Sequence, residues 1–395
     1  MKILHILYQS TPNTAGSSIR SRDLINSQVK LGLYPVVITS PFQHPLNDEC
    51  KNEVIDGVIY YRTYSSLKDL SINEKQSSIF IQLKKLFLFF KFAKNVYQIA
   101  KSENVDIIHA HAMFFCAFAA KYSSLKLKIP FVYEVRSLWE ERYKNDNFFN
   151  KIIFSFVTFL ETISMRLSTS LIVINYNLKN TLSGRFLLKK KKIIVVENAV
   201  DTDRVKILST KRKSLVFGYI GTLSPIEGLD FLINAFNNLH STSFCNKLLI
   251  YGSGIASNTL KKMSKENPLI EFKGEFKQTN IAEVYSTIDI IINPRISNYL
   301  TNSVTPLKPL EAMAYRKLVL ASNVGGMKEL IEHNKTGFIF NSDSVQAIEK
   351  IVFDIVSNGN YNHIVDAAHK YILYDKSWKK KSIIYHDLYS QLINE

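Results

Sequence analysis

Short runs of β-branched and aromatic residues alternate with longer segments of helical periodicity along the whole chain. The runs lie near residues 2–8, 35–40, 58–63, 105–111, 130–135, 170–175 and 193–197, then near 214–220, 247–252, 270–273, 289–293, 318–322 and 337–340. Most have no polar residue at every second position, as strands covered on both faces do not. Such strands separated by helices predict α/β architecture with parallel, doubly wound sheets. The pattern restarts once: "KKKKIIVVENAVDTDRV" closes one series, "STKRKS" is polar, and "LVFGYIGTLSPIEGLDFLINAF" opens a fresh strand, glycine turn and helix. A linker near 198–212 follows, with domains at 1–198 and 199–375. "SWKKKSIIYHDLYSQLI" predicts a terminal helix at 376–395, with the N-terminal domain as the surface it would pack back on.

A chain of 395 residues suits two such domains. Two sheets of this kind are expected to face each other across a cleft, with ligands at the C-terminal ends of the strands. With 46% hydrophobic and 21% charged residues the chain should be globular. Its cysteines, Cys50, Cys116 and Cys245, are scattered and odd in number, which points away from a disulfide framework or zinc site and toward the cytoplasm. "MKILHILYQ" reads as a buried first strand rather than a signal peptide. The most apolar segment, 79–100, is broken by Lys84, Lys85, Lys91 and Lys94, short of a membrane span.

The net charge of +16 suggests nucleic acid, anionic lipid or phosphate-bearing substrates as partners, or simply a lysine-rich coding habit. No zinc-finger spacing or RNP-type strand supports nucleic acid.

Two stretches carry candidate chemistry. "GYIGTLSPIEGLDFL" (218–232) is a strand, a glycine turn at Gly221 and Thr222, and a helix start. It is neither the dinucleotide Gly-x-Gly-x-x-Gly nor a Walker loop. Such a turn brings backbone close to a phosphate, or is only tight. In "VTPLKPLEAMAYRKLVLASNVGG" (304–326), Pro309 suits a first helical turn, Lys308 stands where a pyrophosphate could lie, and Glu311 can accept two hydrogen bonds from a ribose diol. A carboxylate there is also favourable by ~0.3–1 kcal/mol with no ligand.

These segments resemble glycosyltransferase family 4, whose members have the GT-B fold of two Rossmann-like domains. "FGYIGTLSPIEGLDFLINAF", "LEAMAYRKLVLASNVGGMKELI" and "NKTGFIF" carry the resemblance in the C-terminal half. "AGSSIRSRDLINSQVKLG", "VDIIHAHAMF" and "PFVYEVRSLWEERY" resemble a bacterial branch active on surface polysaccharides. The resemblance implies that Glu311 is the second glutamate of the Glu-x7-Glu motif, the one that holds the donor ribose. Ser303 stands where the first would be. Many members have Arg and Lys against the diphosphate where this chain has Thr222 and Glu227, so Arg295 and Lys308 are the expected replacements. Gly325 and Gly326 belong to the same donor-side set. His111 corresponds to the histidine facing the donor sugar, and Gly16 to the acceptor-side loop. His109, on the same strand face, is expected to be structural. Glu134 and Arg136 share one face of the next strand, where they orient an acceptor hydroxyl or pair with each other. "DTD" at 201–203 imitates a GT-A metal motif but reads as a helix cap. Neither a catalytic metal nor a cofactor is expected.

The aromatic and basic stretch 79–101 predicts contact with an anionic membrane surface, as a lipid-linked acceptor would require. The similar stretch 148–167 is expected to be a core helix. The family implies a retaining glycosyltransferase acting on a nucleotide-diphosphate sugar and a glycan or lipid-linked acceptor, cytoplasmic or peripheral on the inner membrane face. The rivals are a GT-B nucleotide-sugar epimerase or phosphorylase, and a catalytically degenerate member that binds anionic polymer or membrane.

Overall fold

The computed structural model describes residues 1–13, 15–43, 52–63, 79–143, 148–208, 214–241 and 245–395, apart from the side chains of residues 79–86, 142 and 149. The chain divides into two units, residues 1–197 with 378–395, and residues 198–377.

Unit 1 contains β1 (Lys2–Leu7), α1 (Gly16–Lys30), β2 (Tyr34–Thr39), β3 (Asn52–Ile55), β4 (Val58–Arg62), α2 (Ile79–Ser102), β5 (Ile107–His111), α3 (Phe114–Leu127), β6 (Phe131–Val135), α4 (Phe148–Leu167), β7 (Ser170–Val173), α5 (Tyr176–Ser183) and β8 (Ile193–Val195). Its sheet runs β3-β4-β2-β1-β5-β6-β7-β8, parallel except where β3 meets β4. That hairpin is absent from the sequence reading. Its turn is Asp56-Gly57, both with positive φ, the conformation a two-residue hairpin turn demands.

The two sides of this sheet differ in chemistry. Leu4, Ile6, Ile108, Ala110, Phe131 and Tyr133 join residues of α2, α3 and α4 in one apolar core. Each large apolar side chain so buried stabilises by about 1.5–3 kcal/mol. His5, His109, His111 and Glu134 occupy the alternate positions, under a helix α1 whose Ser18, Arg20, Ser21, Ser27 and Gln28 are also buried. The last helix of the chain lies here too, with its Ser382 hydroxyl 2.8 Å from that of Ser27.

Helix α4 corrects an expectation. It is not a core helix: Phe148, Ile152, Phe156 and Phe159 are exposed, and only the opposite side is buried. The apolar residues outnumber the positions that one packed face can cover. In α2, Leu88, Phe92, Ala93 and Val96 are buried, whereas Phe87, Phe90, Lys91 and Lys94 face solvent. The side chains of Lys84 and Lys85 lie outside the described residues. No described helix is long and apolar enough to cross a membrane.

Unit 2 contains β9 (Val216–Ile220), α6 (Leu229–His240), β10 (Lys247–Tyr251), α7 (Ser257–Met263), β11 (Ile270–Gly274), α8 (Ile281–Ser286), β12 (Ile290–Asn293), α9 (Tyr299–Ser303), α10 (Lys308–Ala314), β13 (Leu318–Ser322), α11 (Gly325–Lys328), β14 (Phe338–Phe340), α12 (Val345–Asn358) and α13 (Asn362–Asp375). The final helix, α14 (Trp378–Asn394), belongs to unit 1. The six strands of unit 2, all parallel, run β11-β10-β9-β12-β13-β14. Apolar clusters cover both faces, so these strands read as uninterrupted hydrophobic runs.

Candidate active site

In unit 1 a cavity of about 210 Å³ lies at the C-terminal ends of β1, β5 and β6, where parallel sheets bind ligands. Tyr8, Gln9, Ser17, His111, Arg136 and Trp139 are among its walls. Ala112, also on the wall, has φ of 68°, a left-handed conformation unusual for a residue with a side chain. Gly16 opens α1 beside Ser17 but is not part of the wall.

The polar groups behind this cavity form a chain of hydrogen bonds. Arg136 Nη2 can only donate, so His111 Nδ1, 2.7 Å away, accepts. The His111 proton is therefore on Nε2 and is donated to His5 Nδ1 at 2.8 Å. His5 Nε2 then donates to Gln28 Oε1 at 2.7 Å, and Gln28 Nε2 donates to the Tyr389 oxygen at 3.2 Å. The Tyr389 hydroxyl donates to His109 Nδ1 at 2.6 Å. That leaves the His109 proton on Nε2, facing Glu134 Oε2 at 3.7 Å, too far for a hydrogen bond. Glu134 Oε1 accepts from Arg136 Nε at 2.7 Å and from Arg20 Nε at 3.1 Å, while its Oε2 accepts from the Tyr385 hydroxyl.

Burial dominates the electrostatics. It pushes all three histidines toward the neutral form, His111 to about 4, with the Arg136 charge acting the same way on His111. Burial alone would raise the Glu134 carboxyl, but Arg20 and Arg136 hold it well below the usual range. Ring nitrogens of His5, His109 and His111 lie within 4.8 Å of one another, close enough to hold an ion in principle. Two adjacent guanidinium groups oppose any cation there, and the chain of hydrogen bonds already occupies those nitrogens, His109 Nε2 excepted.

Arg136 and Glu134 pair with each other, one of the two uses open to them from sequence. Arg136 donates as well to Ser17 O and Ser21 Oγ, so at most one of its five N–H groups is left for a substrate. His5, Arg20, Tyr385 and Tyr389 escaped sequence reading. The one signal for His5 was a polar residue inside an otherwise apolar strand.

In unit 2 the donor-side candidates gather at the C-terminal ends of β9, β12 and β13. A Cβ on Gly221 would meet the Tyr219 hydroxyl at 2.6 Å, and one on Gly326 would meet Val304 O at 2.4 Å, so close packing dictates both glycines. Thr222 O accepts from the Tyr219 hydroxyl, and the Gly325 N–H is held by Asn302 Oδ1 at 2.7 Å. Ser303 is buried at the end of α9. The expected cations come with acids attached, which changes their charge balance. Arg295 makes two hydrogen bonds to Glu227, of 2.7 and 3.0 Å, and Lys308 Nζ lies 3.2 Å from Glu311 Oε2. Pro309 occupies the first turn of α10. Asp201 caps a short 3-10 turn by accepting from the Asp203 N–H.

The model of the family described as Glycosyltransferase Family 4 matches residues 14–204, and that described as Glycosyl transferases group 1 matches residues 200–371. The chain belongs to glycosyltransferase family 4. It is a GT-B enzyme whose two Rossmann-like units are those described above.

Among relatives of this family 4 enzyme, the Escherichia coli UDP-Gal:alpha-D-GlcNAc-diphosphoundecaprenol alpha-1,3-galactosyltransferase is 24% identical over 69% of this chain and 74% of its own. The Staphylococcus aureus capsular polysaccharide biosynthesis glycosyltransferase CapM is 22% identical over 58% of this chain and 61% of its own. Among solved structures, sucrose-phosphate synthase from Thermosynechococcus elongatus has a TM-score of 0.80 at 14% identity, covering all of both chains.

Proposed function

We propose that this transferase moves a sugar from a nucleotide-diphosphate sugar to a glycan or lipid-linked acceptor, with retention at the anomeric carbon, in cell-surface polysaccharide synthesis at the cytoplasmic side of the membrane. The observation that carries the reading is Glu311 at the start of α10, its side chain 13% exposed and partnered by Lys308. A carboxylate there can exchange lysine for a ribose diol, and the released Lys308 can then turn to the diphosphate. The named substrates of the E. coli relative, a UDP-sugar and a diphosphoundecaprenol-linked acceptor, support the donor and acceptor classes, and the capsular role of CapM supports the setting.

Unit 2 would hold the donor through Glu311, Lys308 and Arg295, with the backbone of Gly221, Thr222, Gly325 and Gly326 shaping the rim and Ser303 beneath it. Unit 1 would hold the acceptor in its cavity, whose buried backing of Arg20, Arg136 and Glu134 has two positive charges against one negative. That surplus favours an acceptor bearing phosphate. His111 has both ring nitrogens engaged, so it shapes the wall and is not the base. In the transfer, the acceptor oxygen bonds to the anomeric carbon as the sugar–phosphate bond breaks on the same face. The acceptor proton passes to the leaving phosphate oxygen, and the protein contributes orientation and charge.

A thermal-shift screen of UDP-, GDP-, ADP- and dTDP-sugars tests donor binding, since a ligand at 100 times its dissociation constant adds ~2.7 kcal/mol. Nucleotide release that depends on an added saccharide-diphosphate lipid is the expected result. Binding without release assigns a degenerate binder, and interconversion of the donor with no acceptor assigns an epimerase. An absorbance band of pyridoxal phosphate assigns a phosphorylase.

A further inference from the structure

Glu311 rests on two tyrosines. Tyr315 follows it by one helical turn, its backbone N–H donating to Glu311 O at 3.0 Å. Tyr285 comes from α8, and its ring stacks on that of Tyr315 with centroids 4.4 Å apart and planes 13° from parallel. Both rings belong to the apolar core of this face, with Ile291, Leu310, Met313 and Ala321. The Tyr285 hydroxyl hydrogen-bonds the Glu311 side chain. Burial first, and then the Glu311 charge, push the Tyr285 phenol well above its ordinary range, so at neutral pH it remains an O–H donor to that carboxylate.

The two partners of Glu311 differ in what they can do. The Lys308 side chain is 31% exposed and can swing aside into solvent. Tyr285 is 1% exposed and held by its stack, so it stays where it is. A carboxylate offers about four acceptor sites on its two oxygens. With Tyr285 on one of them, the carboxylate cannot turn freely, and the sites that Lys308 vacates point in fixed directions. A vicinal diol uses two such sites at once, whereas a 2′-deoxyribose can use only one.

We propose that Tyr285 is a positioning residue that aims the Glu311 carboxylate at a ribose diol, and that the site thereby selects ribonucleotide donors over deoxyribonucleotide ones. The inference rests on the reading of Glu311 as the ribose ligand, and it names the nucleotide class which that ligand takes.

Calorimetric titration of the full chain with UDP, GDP and ADP, each beside its 2′-deoxy form, tests it. The parent should bind at least one ribonucleotide about tenfold or more tighter than the deoxy form. Tyr285→Phe keeps the ring and its stack but removes the hydroxyl. It should weaken that ribonucleotide about three- to tenfold and leave the deoxy form within about twofold, so that the preference shrinks. Tyr315→Phe keeps both the stack and the Tyr285 hydroxyl and should retain the preference. A purely structural role would weaken both forms alike or move only the melt, and either result overturns the proposal. So does tighter ribonucleotide binding by Tyr285→Phe. Glu311→Gln separates the two levels: if it shrinks the preference and Tyr285→Phe does not, Glu311 stands as the ribose ligand and only the positioning role falls. A parent that binds none of these nucleotides, or binds both forms equally, overturns both.

Discussion

Unit 1 holds Arg20, Glu134 and Arg136 at 2, 0 and 7% exposure in a buried set of hydrogen bonds. Two donor-side ion pairs of unit 2, Glu227–Arg295 and Lys308–Glu311, keep 13–31% of their side chains in solvent. The same kinds of residue therefore do different work. A buried pair cannot release either partner without leaving an uncompensated charge in a dry interior, so it fixes shape. A rim pair loses little when opened, because water or a ligand can replace the lost partner. By this contrast, unit 1 presents a rigid wall behind its cavity, and unit 2 presents charges that a nucleotide can recruit.

The largest expected effect breaks the contrast if it fails to appear. Glu134→Ala strands two guanidinium groups and should cost about 3–5 kcal/mol. Urea unfolding followed by tryptophan fluorescence checks it, and both tryptophans, Trp139 and Trp378, lie in unit 1. Next, Glu311→Gln should weaken nucleotide binding roughly ten- to a hundred-fold, since a hydrogen bond to a charged group contributes ~1.5–3 kcal/mol. Lys308→Met should cost more with a nucleoside diphosphate than with the bare nucleoside, whereas Glu311→Gln should weaken both alike. Normal binding by Glu311→Gln with an early melt would make the carboxylate a helix-end stabiliser only.

Acid should act on unit 1 in the same experiment. His111 titrates near 4 in the folded chain against 6.5 when unfolded, and His5 and His109 are lowered as well. Between those values the unfolded chain binds more protons, so stability falls as the pH drops from 6.5 toward 4. Glu161 has the opposite sign: raised to about 8 from 4.5, it makes stability fall as the pH climbs between those values. Glu161→Gln should flatten the alkaline limb and leave the acid limb in place, as read from tryptophan emission during melts. The smallest effect sharpens the comparison. Glu227→Gln frees Arg295, so a nucleoside diphosphate should bind about five-fold tighter while stability changes by less than ~1 kcal/mol. A calorimetric titration showing weaker binding would mean that Glu227 itself positions the loop.

What the sequence made legible follows from what its pattern encodes. The strands of unit 2 announce themselves because both faces are covered by apolar side chains, and burial is what hydrophobic runs report. Strand β3 was lost because it is a half-exposed edge, and its hint, Asp56-Gly57 between two alternating runs, is a turn signal rather than a strand signal. Phenylalanine in α4 was misread as core because composition cannot say which side of a helix is left uncovered. Glu134 with Arg136, and His109 with His111, were found by their alternation along single strands. The network around them was not, because its other members, His5, Arg20, Gln28, Tyr385 and Tyr389, come from β1, α1 and α14, and only the parallel register sets His5 beside His109. The Glu227–Arg295 pair at the rim of unit 2 was equally hidden, since its partners meet only because two separate strands end side by side.

The order of synthesis gives the last helix an unusual weight. Unit 1 is interrupted in sequence, and residues 378–395 leave the ribosome only after the whole of 198–377. At about 5–20 residues per second that is a delay of roughly ten to forty seconds. Throughout it, Glu134 lacks the Tyr385 hydroxyl, His109 lacks Tyr389, and Arg20 lacks the Trp378 ring that it faces at 5.0 Å. The nascent sheet can form its apolar side against α2 and α3 early, but its polar side stays uncapped until α14 has emerged. A premature stop at codon 378 would thus yield a chain with every residue of the cavity wall and none of the aromatic cover behind it, a species for quality control rather than for transfer.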